Sequence, residues 1–304
     1  MADSRNQAAT GRHRAVAEEN TGLSVRRAVA IAGAQLSEAG VPSARVDAEL
    51  LASFALQVPR AQLGLVSGFT DEQADRFEEL IAERVNRVPL QHLTGEAAFR
   101  YLSLAVGPGV FIPRPETEYL VEWGLEKLRG VESAVAVDLC AGSGAIALSL
   151  AHEMSNVNVH AVEQDELAVA WLQRNAKEQA GKGDHPVDVY AEDATSSETL
   201  AESNGAVDLV LSNPPYIPLG SSVAHEVHHD PAHALWGGVD GLDVVRGVIV
   251  TASRLLKPGG WFGFEHGEQH TFAAAELLDA QEWTSVDHLD DLTGRPRFTI
   301  GQRR

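Results

Sequence analysis

The chain has 304 residues, 44% of them hydrophobic, and 43 acidic residues outnumber 24 basic ones to give a net charge of −19. That length suits two domains, the hydrophobic share excludes a disordered chain, and no apolar run approaches the ~20 residues that span a bilayer. The acidic balance argues against a phosphate backbone as partner, while a basic protein would be attracted.

Residues 1–20 lack an apolar core segment, so a signal peptide is not expected and a solvated tail is. Residues 21–95 read as a small helical domain. Val25, Val29, Ala32 and Leu36 recur at helical spacing until Gly40 and Pro42. Ser43 opens a second helix through Leu50, Leu51 and Phe54 that ends before Pro59. Thr70 and Gln73 form a T-x-x-Q capping box ahead of Phe77, Leu80, Ile81 and Val85, and Pro89 interrupts that helical run. Residues 96–113 change character: Phe99, Leu102, Leu104 and Val106 roughly alternate, which predicts a β-hairpin linker.

From residue 114 to 304 strands and helices alternate. Strands are predicted at Ala134–Asp138, Val157–Glu163, Val187–Ala191, Val207–Leu211, Trp261–Glu265, Ser285–Leu289 and Phe298–Gly301. Helices lie between them, including Glu166–Gln179 and Leu242–Leu256, the latter stopped by Pro258-Gly259-Gly260. This predicts an α/β fold, a seven-stranded, mostly parallel Rossmann-like sheet covered on both faces. The last connection, Asp290 to Arg297, is too short for a parallel crossover, so the last strand should run antiparallel. The lone cysteine, Cys140, excludes an intrachain disulfide and fits a reducing cytoplasm.

The first of these strands runs through Asp138 into Cys140-Ala141-Gly142-Ser143-Gly144 and then a helix. Gly142 and Gly144 allow a tight turn and close approach of a ligand to backbone. About twenty residues on, Glu163 ends the next strand, where a carboxylate can accept from both hydroxyls of a ribose. Asp193, beside Ala194 after the third strand, can accept from an adenine amino group or serve as a turn aspartate. Gly142 to Ala147 also fits the dinucleotide fingerprint, so NAD is a rival ligand here. Cys140 has no base near it in sequence and reads as a lining residue.

The fourth strand runs into Ser212-Asn213-Pro214-Pro215-Tyr216. Two prolines end the strand and fix their φ angles, and Asn213 is pushed toward an extended conformation. The product is a stiff turn at the carboxyl edge of the sheet, where open α/β sheets bind ligands. A planar NH₂ conjugated to a carbonyl or a ring is a poor nucleophile. The Asn213 side-chain oxygen and the Pro214 carbonyl can accept its two hydrogens and hold it toward a sulfonium methyl, with Tyr216 packed on the planar group. These four residues are the catalytic candidates.

The order of Asp138–Gly144, Glu163, Asp193 and Asn213–Tyr216 resembles class I methyltransferases that act on planar NH₂ groups. More narrowly, Phe111-Ile112-Pro113-Arg114-Pro115-Glu116-Thr117-Glu118 and Phe264-Glu265-His266-Gly267 are similar to segments of the HemK/PrmC family, over roughly residues 24–302. Those enzymes methylate N5 of the Gly-Gly-Gln glutamine of peptide chain release factors. The resemblance implies S-adenosylmethionine as cofactor, held by Asp138, Cys140, Ala141, Gly142, Ser143, Gly144, Glu163, Asp193, Ala194 and Asn213. It implies a release factor as substrate, recognised by the helical domain, and a soluble, monomeric enzyme of translation termination with S-adenosylhomocysteine as product. The chain departs from the family pattern at Cys140-Ala141, at Glu163 in place of aspartate, and at Ala194 in place of a larger residue.

Glutamine methylation of a ribosomal protein is the nearest rival substrate. N6-adenine methylation of DNA uses the same loop, but the net charge and the want of a target-recognition domain oppose it. A NAD-dependent oxidoreductase leaves the Asn-Pro-Pro-Tyr loop without a role. His225-Glu226-Val227-His228-His229 matches H-E-x-x-H, yet Gly220-Ser221-Ser222 and Asp230-Pro231 flank it, which predicts a loop rather than a zinc-binding helix, so no metal is expected. His266 reads as a structural histidine. Arg114, flanked by prolines, reads as site architecture together with Glu116.

Overall fold

The computed structural model describes residues 24–304, so the tail expected at residues 1–20 lies outside the described residues. The chain divides into two compact units, one up to Arg87 and one over Val88–Arg304.

Three helices build the first unit: α1 (Val25–Glu38), α2 (Ala44–Leu56) and α3 (Asp71–Val85). They pack on one another and bury Ala32, Leu36, Leu51, Phe77 and Leu80. The capping box forms as expected: Thr70 Oγ1 accepts from the Gln73 N–H at 3.3 Å, and Gln73 Oε1 accepts from the Thr70 N–H at 3.0 Å. Arg84 Nε donates to Asp47 Oδ2 at 2.8 Å inside this unit.

The second unit opens with a short helix, α4 (Leu90–Thr94), and an antiparallel hairpin of β1 (Glu96–Phe99) and β2 (Leu102–Ala105). Arg100 sits at the hairpin's tip with φ 49° and ties it down. Its guanidinium donates to Glu122 and Glu153, and its backbone N–H donates to Glu118 Oε1 at 3.0 Å. Those acids stand on α5 (Glu118–Leu128) and α6 (Ala145–Glu153).

The main sheet has seven strands: β3 (Ala134–Leu139), β4 (Val157–Glu163), β5 (Val187–Ala191), β6 (Val207–Ser212), β7 (Leu256–Glu265), β8 (Trp283–Asp290) and β9 (Pro296–Arg303). Their order is β5-β4-β3-β6-β7-β9-β8, and β9 alone runs against its neighbours. The central strands are mostly apolar because both faces are covered. Ala136, Leu209 and Leu211 point to one core with Leu120 and Leu172, the latter on α7 (Glu166–Lys182). Val137 and Val210 point to the other, with Val245 and Ile249 of α8 (Asp243–Leu255) and Ala274 of α9 (Thr271–Glu276).

One element differs from its prediction. The Pro258-Gly259-Gly260 break lies inside β7, not before it. Pairing with β6 jumps from Val207↔Leu256 to Leu209↔Trp261, so the break is absorbed as a bulge that spares Pro258 a ladder N–H.

After β5 the chain crosses back to place β6 on the other side of β3. The strand order therefore switches between β3 and β6, which leaves a crevice at their carboxyl ends.

Candidate active site

A cavity of about 190 Å³ opens at that switch point. The catalytic candidates Asn213, Pro214, Pro215 and Tyr216 line it, together with Cys140, Ala141, Gly142, Ser143, Glu163, Asp193 and Ala194. Two sequence candidates lie behind its wall. Gly144 is the N-cap of α6 with φ 89°, where a side chain would meet Leu172 and Leu148. Asp138 is fully buried under the turn, its Oδ2 accepting from the Ala147 N–H at 3.0 Å and its Oδ1 without a partner among the described residues. Burial pushes the Asp138 carboxyl up to about 8.

The glycine turn is held in place by Glu163. Its Oε2 accepts from the Gly142 N–H at 2.9 Å, and its Oε1 accepts from Gln164 N–H at 2.8 Å and Asp165 N–H at 2.9 Å. Gly142 has φ 55°, and none of the described residues comes within 4 Å of where a Cβ would stand, so the backbone there faces open space. Cys140 also takes a left-handed φ of 64°, and burial raises its thiol far above the ordinary range. A protonated thiol is no nucleophile, which agrees with a lining role. Asp193 shapes its own loop: Oδ1 accepts from the Thr195 N–H and hydroxyl, both at 2.8 Å. The turn supplies open backbone, an acid at the end of β4 and a small apolar floor at Ala194, which fits a nucleoside-bearing cofactor.

The Asn213 loop is locked from below. Asn213 Nδ2 donates to Thr117 Oγ1 at 3.2 Å, and Thr117 Oγ1 donates to Glu265 Oε2 at 2.6 Å. Tyr216 Oη donates to Glu265 Oε1 at 3.0 Å. Ser212 Oγ donates to the Leu139 carbonyl at 2.6 Å, fixing the end of β6 to the end of β3. Glu265 is fully buried, and burial raises its carboxyl above the usual range against the pull of Thr117 and Tyr216. Burial likewise raises the Tyr216 phenol well above its ordinary value, so it stays a donor.

A third wall comes from the segment before α5. Phe111, Pro113, Arg114 and Thr117 line the cavity. The Arg114 guanidinium lies 4.9 Å over the Phe111 ring and donates to Asp230 Oδ2, while Asp230 Oδ1 accepts from the Ile112 N–H at 3.3 Å. Asp230 thus clips this segment to the chain beyond Tyr216. Arg114 thus lines the cavity wall, held there by Asp230. Glu116 lies 3.9 Å from Arg295. His266 is buried, with Nδ1 against the Gly267 carbonyl and Nε2 against Thr299 Oγ1, both at 2.9 Å. Its pKa falls to about 4 through burial, so it is a neutral structural histidine. His225–His229 is a single 3-10 turn, and among the described residues no His, Cys, Asp and Glu cluster could hold a metal.

The release factor glutamine methyltransferase of Mycolicibacterium smegmatis is 47% identical to this chain over 281 residues, which cover 92% of the chain and 98% of that protein. The chain belongs to the release factor glutamine methyltransferase family. The Streptomyces coelicolor release factor glutamine methyltransferase is 45% identical, covering 90% of this chain and 96% of its own length. Two family models match: the PrmC N-terminal domain over residues 27–95 and the methyltransferase small domain over residues 116–264. A 4-amino-L-phenylalanine/4-methylamino-L-phenylalanine methyltransferase of Streptomyces pristinaespiralis is 36% identical, covering 81% of this chain and 84% of that one. Among solved structures, the hMettl16 catalytic domain in complex with the MAT2A 3'UTR hairpin 6 superposes with a TM-score of 0.53 at 16% identity, covering 74% of this chain and 81% of that one. That likeness shows a methyltransferase fold. The Thr117–Glu265 pair and Asp230 escaped the sequence reading of this family member as interacting groups, since 148 positions separate Thr117 from Glu265 and 116 separate Arg114 from Asp230.

Proposed function

We propose that this chain transfers a methyl group from S-adenosylmethionine to the N5 amide nitrogen of the glutamine in the Gly-Gly-Gln motif of peptide chain release factors. The observation that carries this is one cavity lined by the glycine turn, Glu163 and Asp193 on one side and by Asn213–Tyr216 on the other. Bound S-adenosylmethionine supplies an electrophilic methyl on sulfur and leaves as S-adenosylhomocysteine. Gly142, Glu163, Asp193 and Ala194 hold the nucleoside. Asn213 Nδ2 is taken by Thr117, which leaves Asn213 Oδ1 to accept one N–H of the substrate amide, with the Pro214 carbonyl accepting the other. Both acceptors stabilise the positive charge that grows on nitrogen as the N–C bond forms and the S–C bond breaks. The nitrogen sheds its proton to water afterwards, so no side-chain base is needed.

The names of the relatives favour a release factor over a ribosomal protein. Adenine in DNA remains opposed by the net charge of −19. The helical unit is the natural reader of the protein partner, since the sheet unit already holds the chemistry. Among the described residues no helix is long and apolar enough to cross a membrane, and the cytoplasm, where release factors work, is the proposed compartment; the proposed enzyme is a monomer.

A methyl-transfer assay on release factor, its Gly-Gly-Ala variant, free 4-amino-L-phenylalanine and duplex DNA tests the reading. Label is expected on the release factor alone. Label on DNA or on the free amino acid, with none on the release factor, overturns it. Asn213→Ala should lower turnover by about 100-fold, far more than it lowers cofactor affinity.

A further inference from the structure

We propose that Glu265, acting through Thr117, decides which end of the Asn213 carboxamide faces the substrate. The proposal rests on the reading above, in which Asn213 Oδ1 accepts a substrate N–H. An amide side chain has a donor end and an acceptor end of nearly equal shape, and packing alone chooses poorly between them. Only the acceptor end is productive, because the substrate nitrogen presents two donors. A flipped Asn213 would set donor against donor.

The hydrogen bonds fix the choice by counting protons. Thr117 has one hydroxyl proton. Its oxygen, Oγ1, lies 2.6 Å from Glu265 Oε2 and 3.2 Å from Asn213 Nδ2. An ionised carboxylate can only accept. While Glu265 is ionised, the Thr117 proton is committed to it, so Thr117 can only accept from Asn213, and the amide must turn its NH₂ inward and its oxygen outward. The second carboxylate oxygen is likewise occupied by the Tyr216 hydroxyl at 3.0 Å. Once Glu265 takes a proton it can donate to Thr117. The Thr117 proton is then released, and it can turn to Asn213 Oδ1 and stabilise the flipped amide. Glu265 and Thr117 are positioning residues, and Asn213 is the group that touches substrate.

The surroundings set where that proton binds. From β9, Arg297 favours the ionised carboxylate, and from the turn before α5, Glu116 opposes it, while burial is the largest influence and raises the carboxyl. Tyr216 and Thr117 donate to it. His266, next in the chain, is held neutral by its own burial. On α5, Glu118 and Glu122 are engaged by Arg100. The polarity of the clamp should therefore fail as pH falls through a point above the ordinary carboxylate range, and turnover should rise with pH through that point.

The test uses the full chain with S-adenosylmethionine and whole release factor, with kcat measured from pH 5 to 9 and cofactor affinity by calorimetry. Glu265→Gln keeps the volume and removes the titrating group. It should lower kcat by about 10- to 100-fold at neutral pH, leave cofactor affinity within about twofold, and flatten the acid limb. Thr117→Val should do the same, and Thr117→Ser should restore both the rate and the limb. A Thr117→Val enzyme with full kcat, or a Glu265→Gln enzyme that keeps the acid limb, overturns the proposal. Asn213→Ala separates the two ideas. Loss of turnover there with full activity in Thr117→Val sinks only the relay, whereas full turnover in Asn213→Ala sinks the reading beneath it.

Discussion

Glu163 carries two burdens on one carboxylate. It accepts three backbone N–H groups, from Gly142, Gln164 and Asp165, and a carboxylate has about four lone-pair sites. The acid therefore holds the turn and leaves roughly one site for the ribose hydroxyl of the proposed cofactor, so the turn is shaped before any ligand arrives. Glu163→Ala should weaken S-adenosylmethionine binding by about tenfold or more, the size of a charged hydrogen bond; an unchanged dissociation constant in a calorimeter removes Glu163 from the site. The candidates that the sequence offered and the cavity gathers are those whose local chain announces them: Glu163 at a strand end, Asn213 before two prolines, Asp193 in its turn. Thr117, Asp230 and Glu265 gave no such notice of their partners. Each is an ordinary residue until the fold sets it against a group about a hundred or more positions away, and no local spacing encodes that meeting.

At the level of elements, the turn from β3 into α6 is the most constrained. Gly144 takes φ 89°, and a Cβ there would stand 2.6 Å from Leu172 Cδ1 and 2.9 Å from Leu148 Cδ1. Gly144→Ala combines backbone strain with overpacking and should cost about 1–3 kcal/mol. A thermal melt should show a midpoint lower by several degrees; an unaltered midpoint would mean that the turn is softer than its packing implies. The helices and strands themselves were legible because their cores demand it: period 3.6 in α1 to α3, and mostly apolar runs in strands covered on both faces. The start of β7 was not. Pro258-Gly259-Gly260 carries the chemistry of a stop, and only pairing with β6 on one side and the Gln302 Nε2 bond to the Gly259 carbonyl on the other reveals a bulged strand. The hairpin of β1 and β2 was legible as strands, but its anchoring was not. Asn175 of α7 bonds both the N–H and the carbonyl of Ala105, and the Ser143 carbonyl as well, and nothing near Asn175 in sequence points to either.

For the whole molecule, the two compact units divide the work as proposed, with chemistry in the sheet and partner reading in the helices. A chain beginning at Val88, once circular dichroism shows it folded, should still methylate a short Gly-Gly-Gln peptide while losing about tenfold or more on intact release factor, remote binding energy being the contribution proposed for the helices. Equal losses on both substrates would assign the helical unit a structural task instead. The strand order has one more consequence. The two outer strands of the sheet are β5 and β8. Exposed Asp188 stands on the first, exposed Asp287 and Asp290 on the second, and β8 is further bent where Ser285 takes φ 52° and the register slips between Thr284 and Asp287. A stray extended segment, from another copy or an unfolded neighbour, meets acid or a kink at either rim in place of a straight template, so fibre-like growth finds no starting point on this sheet.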